Sequence, residues 1–384
     1  MYENIVLIAA GGGNDVFSTL AYAKCMLNET NNIAIISLLG LTPFHSINNS
    51  NIELPLIIPD DKMERYILCN PPKKIRCIER LLPSVLSNIC PNINKYACLS
   101  TKYSPLSQSK TLIRQLIKWN MLYNNTSIMI VDFGGDILSD GRQSSIISPE
   151  LDAFSLSLGN FLIAEGYETR LTVCFPGVDG ELSREYLTDI CTTKSIETIS
   201  INTDQWKYYL LHIYAYISSE RPGNTIPNML YILDNPNCEE IYLKKHWQVG
   251  KLKVQSNLKI AINHKLQSYV YIFNIIDLVK WNPYINIFDM SDYNLLTVFE
   301  NLVNIYANYG GLSSDFYLQY LRKDSNQSWT NKELINSSDI MLINKFPASL
   351  TDDDIALINR ELSYINAILF VNPIFSNNSY TITN

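Results

Sequence analysis

The sequence predicts an α/β protein: a Rossmann-like, doubly wound, mostly parallel sheet with a less regular α/β portion toward the C-terminus. Three observations lead there. Short continuous apolar runs recur at Ile5–Ile8, Asn32–Leu39, Ser127–Phe133 and Thr169–Phe175, the pattern of strands covered on both faces. Helical stretches alternate with them, as a parallel sheet with crossover helices requires. Three of the strands end in turns that combine glycine with acid, placing polar groups at one edge of the sheet.

The first strand runs into Gly11-Gly12-Gly13-Asn14-Asp15 and a helix through Ala21 and Leu27. Asn14 or Asp15 suits the helix cap. After the second strand, residues 41–103 read as an irregular insertion with scattered prolines, a wall or lid of a cleft. A helix follows over Ser104–Tyr123. The third strand, SIMIVDF, ends in Gly134-Gly135-Asp136. Ser148-Pro149-Glu150 then starts a helix, with Ser at the cap, Pro at the first position and Glu in the first turn. The fourth strand ends in Pro176-Gly177-Val178-Asp179-Gly180-Glu181, and Ser183 opens another helix.

Beyond residue 200 the pattern is looser. Trp206–Ser218 reads as an aromatic helix, with His212 expected in the core. Leu258–Asn263 and Tyr269–Ile275 read as strands, or as one strand and a buried helix start. Ser291–Asn308 reads as an amphipathic helix, and Asp339–Asn372 as a strand–helix–strand unit. The expected organisation is a Rossmann-like core over 1–200 and a C-terminal α/β portion over 201–384. That portion packs on the core, and continuation of the same sheet is open.

The composition narrows the function. The 384 residues carry a net charge of −7, with 47% hydrophobic and 17% charged residues. That balance argues against nucleic acid as a partner, and no apolar run reaches the length of a membrane span. The start, MYENIVLIAAGGG, reads as a first strand rather than a signal peptide. Eight cysteines without a CxxC pair read as reduced thiols in a cytoplasmic setting. Four histidines without metal-site spacing make zinc a poor choice. Self-association is left open.

In an open parallel sheet, ligands bind beyond the carboxyl ends of the strands where strand order reverses. All three glycine–acid turns belong at that edge. Their acids are Asp15, then Asp132 and Asp136, then Asp179 and Glu181. Converging carboxylates repel and resist burial unless a cation joins them. Two partners satisfy them: a divalent cation such as Mg²⁺, Ca²⁺ or Mn²⁺, or an organic cation or polyol substrate. Asp15, Asp132, Asp136 and Asp179 are the candidate metal ligands. Asp136, Asp179 and Glu181 are the candidate catalytic groups. Gly11, Gly12, Gly13, Asn14, Asp15, Ser18, Gly134, Gly135 and Arg142 are the candidate substrate contacts. The plain alternative is that these are ordinary turn and cap residues. No GxGxxG, Walker or GxSxG motif is present, which sets nicotinamide redox chemistry well behind.

Four pieces, GGGNDVFSTLAYA (Gly11–Ala23), VDFGGDIL (Val131–Leu138), SPELDAFSL (Ser148–Leu156) and PGVDGELS (Pro176–Ser183), resemble the uncharacterised family of domain of unknown function 1152, DUF1152. The resemblance implies a Rossmann-like core with a small-molecule site, and brings no reaction with it. The expected function is a small-molecule enzyme with an acidic, glycine-lined cleft, of hydrolase or lyase chemistry on a small polar metabolite with a divalent cation assisting. The rival is a non-catalytic metabolite-binding or partner-interaction module using the same cleft.

Overall fold

The computed structural model describes residues 3–11, 14–27, 31–39, 81–93, 95–100, 104–121, 123–140, 149–218, 225–249, 252–282 and 285–288, with two-residue strands at 312–313 and 343–344. The readings over Ser291–Asn308 and Asp339–Asn372 fall outside these residues almost entirely, as does most of the 41–103 insertion.

The first half alternates as its apolar runs require. Strand β1 (Asn4–Ala9) leads to helix α1 (Asn14–Met26), β2 (Asn32–Leu39), α2 (Leu82–Ile89) and β3 (Lys95–Ser100). Then come α3 (Pro105–Lys118), β4 (Thr126–Phe133), α4 (Pro149–Ala164), β5 (Glu168–Cys174), α5 (Arg184–Thr193) and β6 (Glu197–Ser200). After them run α6 (Thr203–Ile217), α7 (Thr225–Asp234), the hairpin β7 (Glu240–Val249) and β8 (Leu252–Ala261), β9 (Tyr269–Asn274) and α8 (Ile275–Val279).

Seven strands form one sheet in the order β3-β2-β1-β4-β5-β9-β6. The first five are parallel, with Ile5 opposite both Ile33 and Ser127, and Ile130 opposite Leu171. The four strands read from the apolar runs are therefore neighbours in register, and chain order reverses between β1 and β4. Strand β9 runs antiparallel between β5 and β6, so one strand from beyond residue 200 joins the sheet begun by the first half.

The pleat sorts β1 onto two faces. Val6 and Ile8 join a core with Leu112 and Leu116 of α3, Phe154 and Leu158 of α4, and Leu187 of α5. Ile5 and Leu7 join a core with Phe17 of α1, Leu86 of α2, Trp206 of α6 and Met229 of α7. Helices thus cover both faces, which is why the strands read as unbroken apolar runs rather than alternating ones.

Three sequence readings shift. The described end of the 41–103 span is regular rather than irregular: it holds α2 and β3, and β3 pairs parallel with β2 in the main sheet. Helix α3 stops at Lys118 rather than Tyr123, because Asn120 takes a left-handed conformation at φ 59°. The Asn120 and Met121 N–H groups then donate back to the Ile117 and Leu116 carbonyls, a Schellman ending that Asn tolerates well. On α6, His212 is exposed and sits on the Tyr208 ring at 4.1 Å. The core positions of that helix are Trp206, Leu210, Ile213 and Ile217.

Trp206 is fully buried and meets Tyr22, Phe133 and Phe175 edge-on, with ring centroids 6.4, 6.3 and 5.3 Å away. It ties α6 to α1 and to the ends of β4 and β5. Trp206→Ala should lower unfolding free energy by about 3–5 kcal/mol, the cost of deleting a buried aromatic. Urea titration followed by circular dichroism measures it, and a loss under about 1 kcal/mol, the scale of an ordinary surface change, would contradict this packing role.

Candidate functional site

The three glycine–acid turns lie at the carboxyl ends of β1, β4 and β5, which are consecutive in the sheet. The backbone knits them together. The Ala10 N–H donates to the Val131 carbonyl at 2.9 Å, the Gly134 N–H to Cys174 at 3.1 Å, and the Gly177 N–H to Gly134 at 2.6 Å. Side chains then fix the third turn: Asn228 donates to the Val178 carbonyl and the buried Gln267 to the Pro176 carbonyl.

Asp132, the penultimate residue of β4, is 2% exposed. Its Oδ2 accepts the Gly135 N–H at 2.8 Å. That bond holds the Gly134-Gly135 turn and sends the chain into a short 3₁₀ turn over Asp136–Leu138. Asp136 therefore points back toward the strand end. The third member was not among the residues singled out from the sequence. Asp152, in the first turn of α4, is 3% exposed. Carboxylate oxygens of Asp132, Asp136 and Asp152 lie within 4.8 Å of one another.

The other acids border this group. An added Cβ on Gly11, at φ +78°, would stand 2.5 Å from Asp15 Oδ2 and 3.8 Å from Asp152 Oδ1. One on Gly134, at φ +122°, would stand 1.9 Å from Asp179 Oδ2. The glycines thus give room to the protein's own carboxylates, in backbone conformations that other residues resist. Asp179 also accepts the Glu181 N–H at 3.0 Å, and Glu181 is 7% exposed.

The charges are felt throughout. Burial first, then the Asp136, Asp15 and Asp179 carboxylates, pushes Asp132 well above the ordinary carboxylate range. Burial, then Asp136, Asp132 and Glu181, does the same to Asp152. Burial raises Asp136 too, against side-chain hydrogen bonds with Asp152 and Asp132 that favour its charged form. Asp152 Oδ2 is buried without a hydrogen-bond partner among the described groups.

Of the acids singled out from the sequence, Asp132 and Asp136 belong to the three-carboxylate group, while Asp15, Asp179 and Glu181 stand outside it and are felt there only as neighbouring charges, with Gly11, Gly134 and Gly135 beside them. Ser18 is fully buried. Asn14 begins α1; its side chain, Gly12, Gly13 and Arg142 lie outside the described residues. Asp152 carried a signal that sequence reading passed over, an acid inside a helix that is otherwise apolar through Ala153, Phe154 and Leu156. Such an acid needs a polar reason to be there.

Opposite oxygens around a bound ion stand about 4 Å apart for Mg²⁺ and about 5 Å apart for Ca²⁺. Three oxygens within 4.8 Å match that scale. The described cysteines, by contrast, are free thiols; burial pushes Cys25 and Cys191 up to about 12 and Cys90 up to about 11, so they are poor thiolates.

Raised acids have a definite signature in stability. A carboxyl whose folded pKa exceeds its unfolded value binds more protons when native, so stability falls as pH rises. The contribution of Asp132 and Asp152 is fully present below their ordinary value of 3.8 and is lost as pH climbs through their raised values. The metal-free protein should therefore melt higher near pH 5 than near pH 8, and an Asp132→Asn/Asp152→Asn variant should flatten that slope. Melting scans across pH in chelator measure it. A wild-type slope of opposite sign, unchanged by the substitutions, would contradict the cluster.

No curated protein matches the chain. A family match covers the second and third acidic turns and Asp152, while the first turn precedes it. Over residues 67–220 the chain matches the family model described as Protein of unknown function (DUF1152).

Proposed function

We propose that this chain is a small-molecule enzyme of the hydrolase or lyase class, acting on a small polar metabolite, with a divalent cation held by Asp132, Asp136 and Asp152. The observation that carries this reading is the convergence of three carboxylates within 4.8 Å, two of them almost wholly buried. Burying that much like charge is costly, and a cation offsets it. The strand order around β1 and β4 supports a Rossmann-like, doubly wound core, whose crevice is the usual ligand position. Free thiols among the described cysteines support a cytoplasmic setting. No helix among the described residues is long and apolar enough to cross a membrane.

On this reading Asp15 and Asp179 border the cation and orient the substrate's hydroxyl or ammonium groups. A cation there supplies Lewis-acid polarisation of a substrate oxygen or activation of water. Glu181, buried and close enough for its charge to raise Asp152, serves as the proton donor or acceptor.

Calorimetric titration with Mg²⁺, Mn²⁺ and Ca²⁺ tests the proposal. Wild type should bind one ion, and Asp136→Asn should weaken it by about tenfold to a hundredfold, the equivalent of one charge-assisted bond. The same variant should melt no lower than wild type in chelator, since one repulsive charge is gone. No binding of any of these ions, or equal binding by the variant, would refute the cation site. A tight ion with no turnover across phosphate esters, amides and sugar substrates would favour a binding module instead.

A further inference from the structure

Of the three clustered carboxylates, Asp152 alone is carried by an α-helix. Its place follows from how closely α4 lies on the sheet. Gly159 stands seven residues further along that helix. Seven residues make about two turns at 3.6 residues each, so Asp152 and Gly159 share one helix face. Ile130 and Asp132 likewise share one face of β4, because side chains two apart in a strand point the same way. Ile130 belongs to the core that Phe154 and Leu158 of α4 complete. The helix therefore runs along β4, with Gly159 over Ile130 and Asp152 over Asp132.

A larger side chain does not fit at the crossing. A Cβ added to Gly159 would stand 2.7 Å from Ile130 Cδ1, 2.8 Å from Ile275 Cδ1 and 3.6 Å from Thr169 Cγ2. Carbon atoms pack best at about 3.5–4.0 Å, so the first two contacts are repulsive. Ile130 and Ile275 are both fully buried, and an interior packed to crystal density leaves their methyl groups little room to turn away. Relief then comes from the helix moving outward. Gly159 lies inside a helix without a positive φ, where glycine is otherwise unfavourable. Close approach explains it; backbone freedom does not.

We propose that Gly159 is a positioning residue for the cation site. By letting α4 seat on β4 and α8, it brings the Asp152 carboxylate to Asp132 and Asp136. This rests on the reading of that group as a cation site. Ion–oxygen distances are fixed within a few tenths of an ångström, so a small outward step of α4 costs affinity.

Calorimetric titration of the full chain with Mg²⁺, Mn²⁺ and Ca²⁺ tests this. Gly159→Ala should weaken binding about tenfold or more, the scale on which groups that orient a metal ligand act. Ile130→Val and Ile275→Val remove the two Cδ1 atoms that the new methyl would strike. Added together to Gly159→Ala, they should restore most of the affinity. Val85→Ala, a packing loss in α2 on the opposite sheet face, should leave affinity unchanged. Thermal melting checks that each variant is folded. Thr169→Ile, which presses on the same crossing from β5, carries the same expectation where Gly159→Ala does not fold. Equal binding by wild type and the crowded variant overturns the positioning role and leaves the cation reading standing. So does a loss that the two valines do not relieve, or one that Val85→Ala reproduces. Wild type that binds none of these ions overturns both.

Discussion

The constraint on which the rest of the site depends is the burial of like charge where β1 and β4 part. Asp132 and Asp152 are nearly sealed from solvent, and Asp136 lies between them. One unit of pKa shift corresponds to about 1.4 kcal/mol, so several raised acids together weigh against a fold whose whole margin is about 5–15 kcal/mol. The surrounding structure is arranged to limit that cost. Asp132 takes a backbone N–H from its own turn. Asp15 and Asp152 sit in the first turns of α1 and α4, where unpaired N–H groups and the helix dipole favour a carboxylate. Gly11 and Gly134 leave the space that Asp15 and Asp179 occupy.

The same arrangement explains why the turns are so firmly held. Carboxylates that repel will separate if their backbone can move. Here the strand ends are cross-linked by turn-to-turn hydrogen bonds, and Asn228 and Gln267 reach in from α7 and from the segment before β9 to fix the third turn. Behind the turns, Trp206 packs on Phe133 and Phe175, residues that flank Asp132 and Pro176 in sequence. The aromatic core on one sheet face therefore braces the polar edge. Phe175 itself adopts φ 50°, a conformation that costs energy for an aromatic residue and turns the chain sharply at the strand's end.

Much of this was legible in the sequence because it is local. Four apolar runs gave four parallel neighbours, and three glycine–acid turns gave one sheet edge, since strand direction fixes where each turn falls. Caps were legible for the same reason: Ser104 and Ser183 accept N–H groups three residues on. Non-local features were not. Strand β9 takes its place antiparallel between β5 and β6, and nothing in Tyr269–Asn274 names those partners. Of the β7–β8 ribbon only the end of β8, within Leu258–Asn263, reads as a strand from the sequence, because lysines interrupt the apolar runs of the rest. Asp152 was missed because it belongs to no turn. It lies in a helix and reaches the cluster only through the packing of α4 against the sheet.

The sign of the site follows from what its glycines accommodate. In sheets of this kind, a glycine turn leading to a helix N-terminus usually favours an anion, because the exposed N–H groups and the dipole are positive. Here the protein fills those positions with its own anions: Asp15 stands against Gly11, Asp179 against Gly134, and Asp152 in the first turn of α4. A phosphate approaching this edge would meet Asp132, Asp136 and Asp152 rather than bare backbone. The positive helix ends thus stabilise a negative lining, and the lining reverses the preference of the crevice. What satisfies buried carboxylates is positive charge or hydroxyl donors, so a phosphate-bearing ligand would reach this edge only with a cation between. That distinction rests on placement rather than composition, because glycine and aspartate at strand ends are common to both kinds of site.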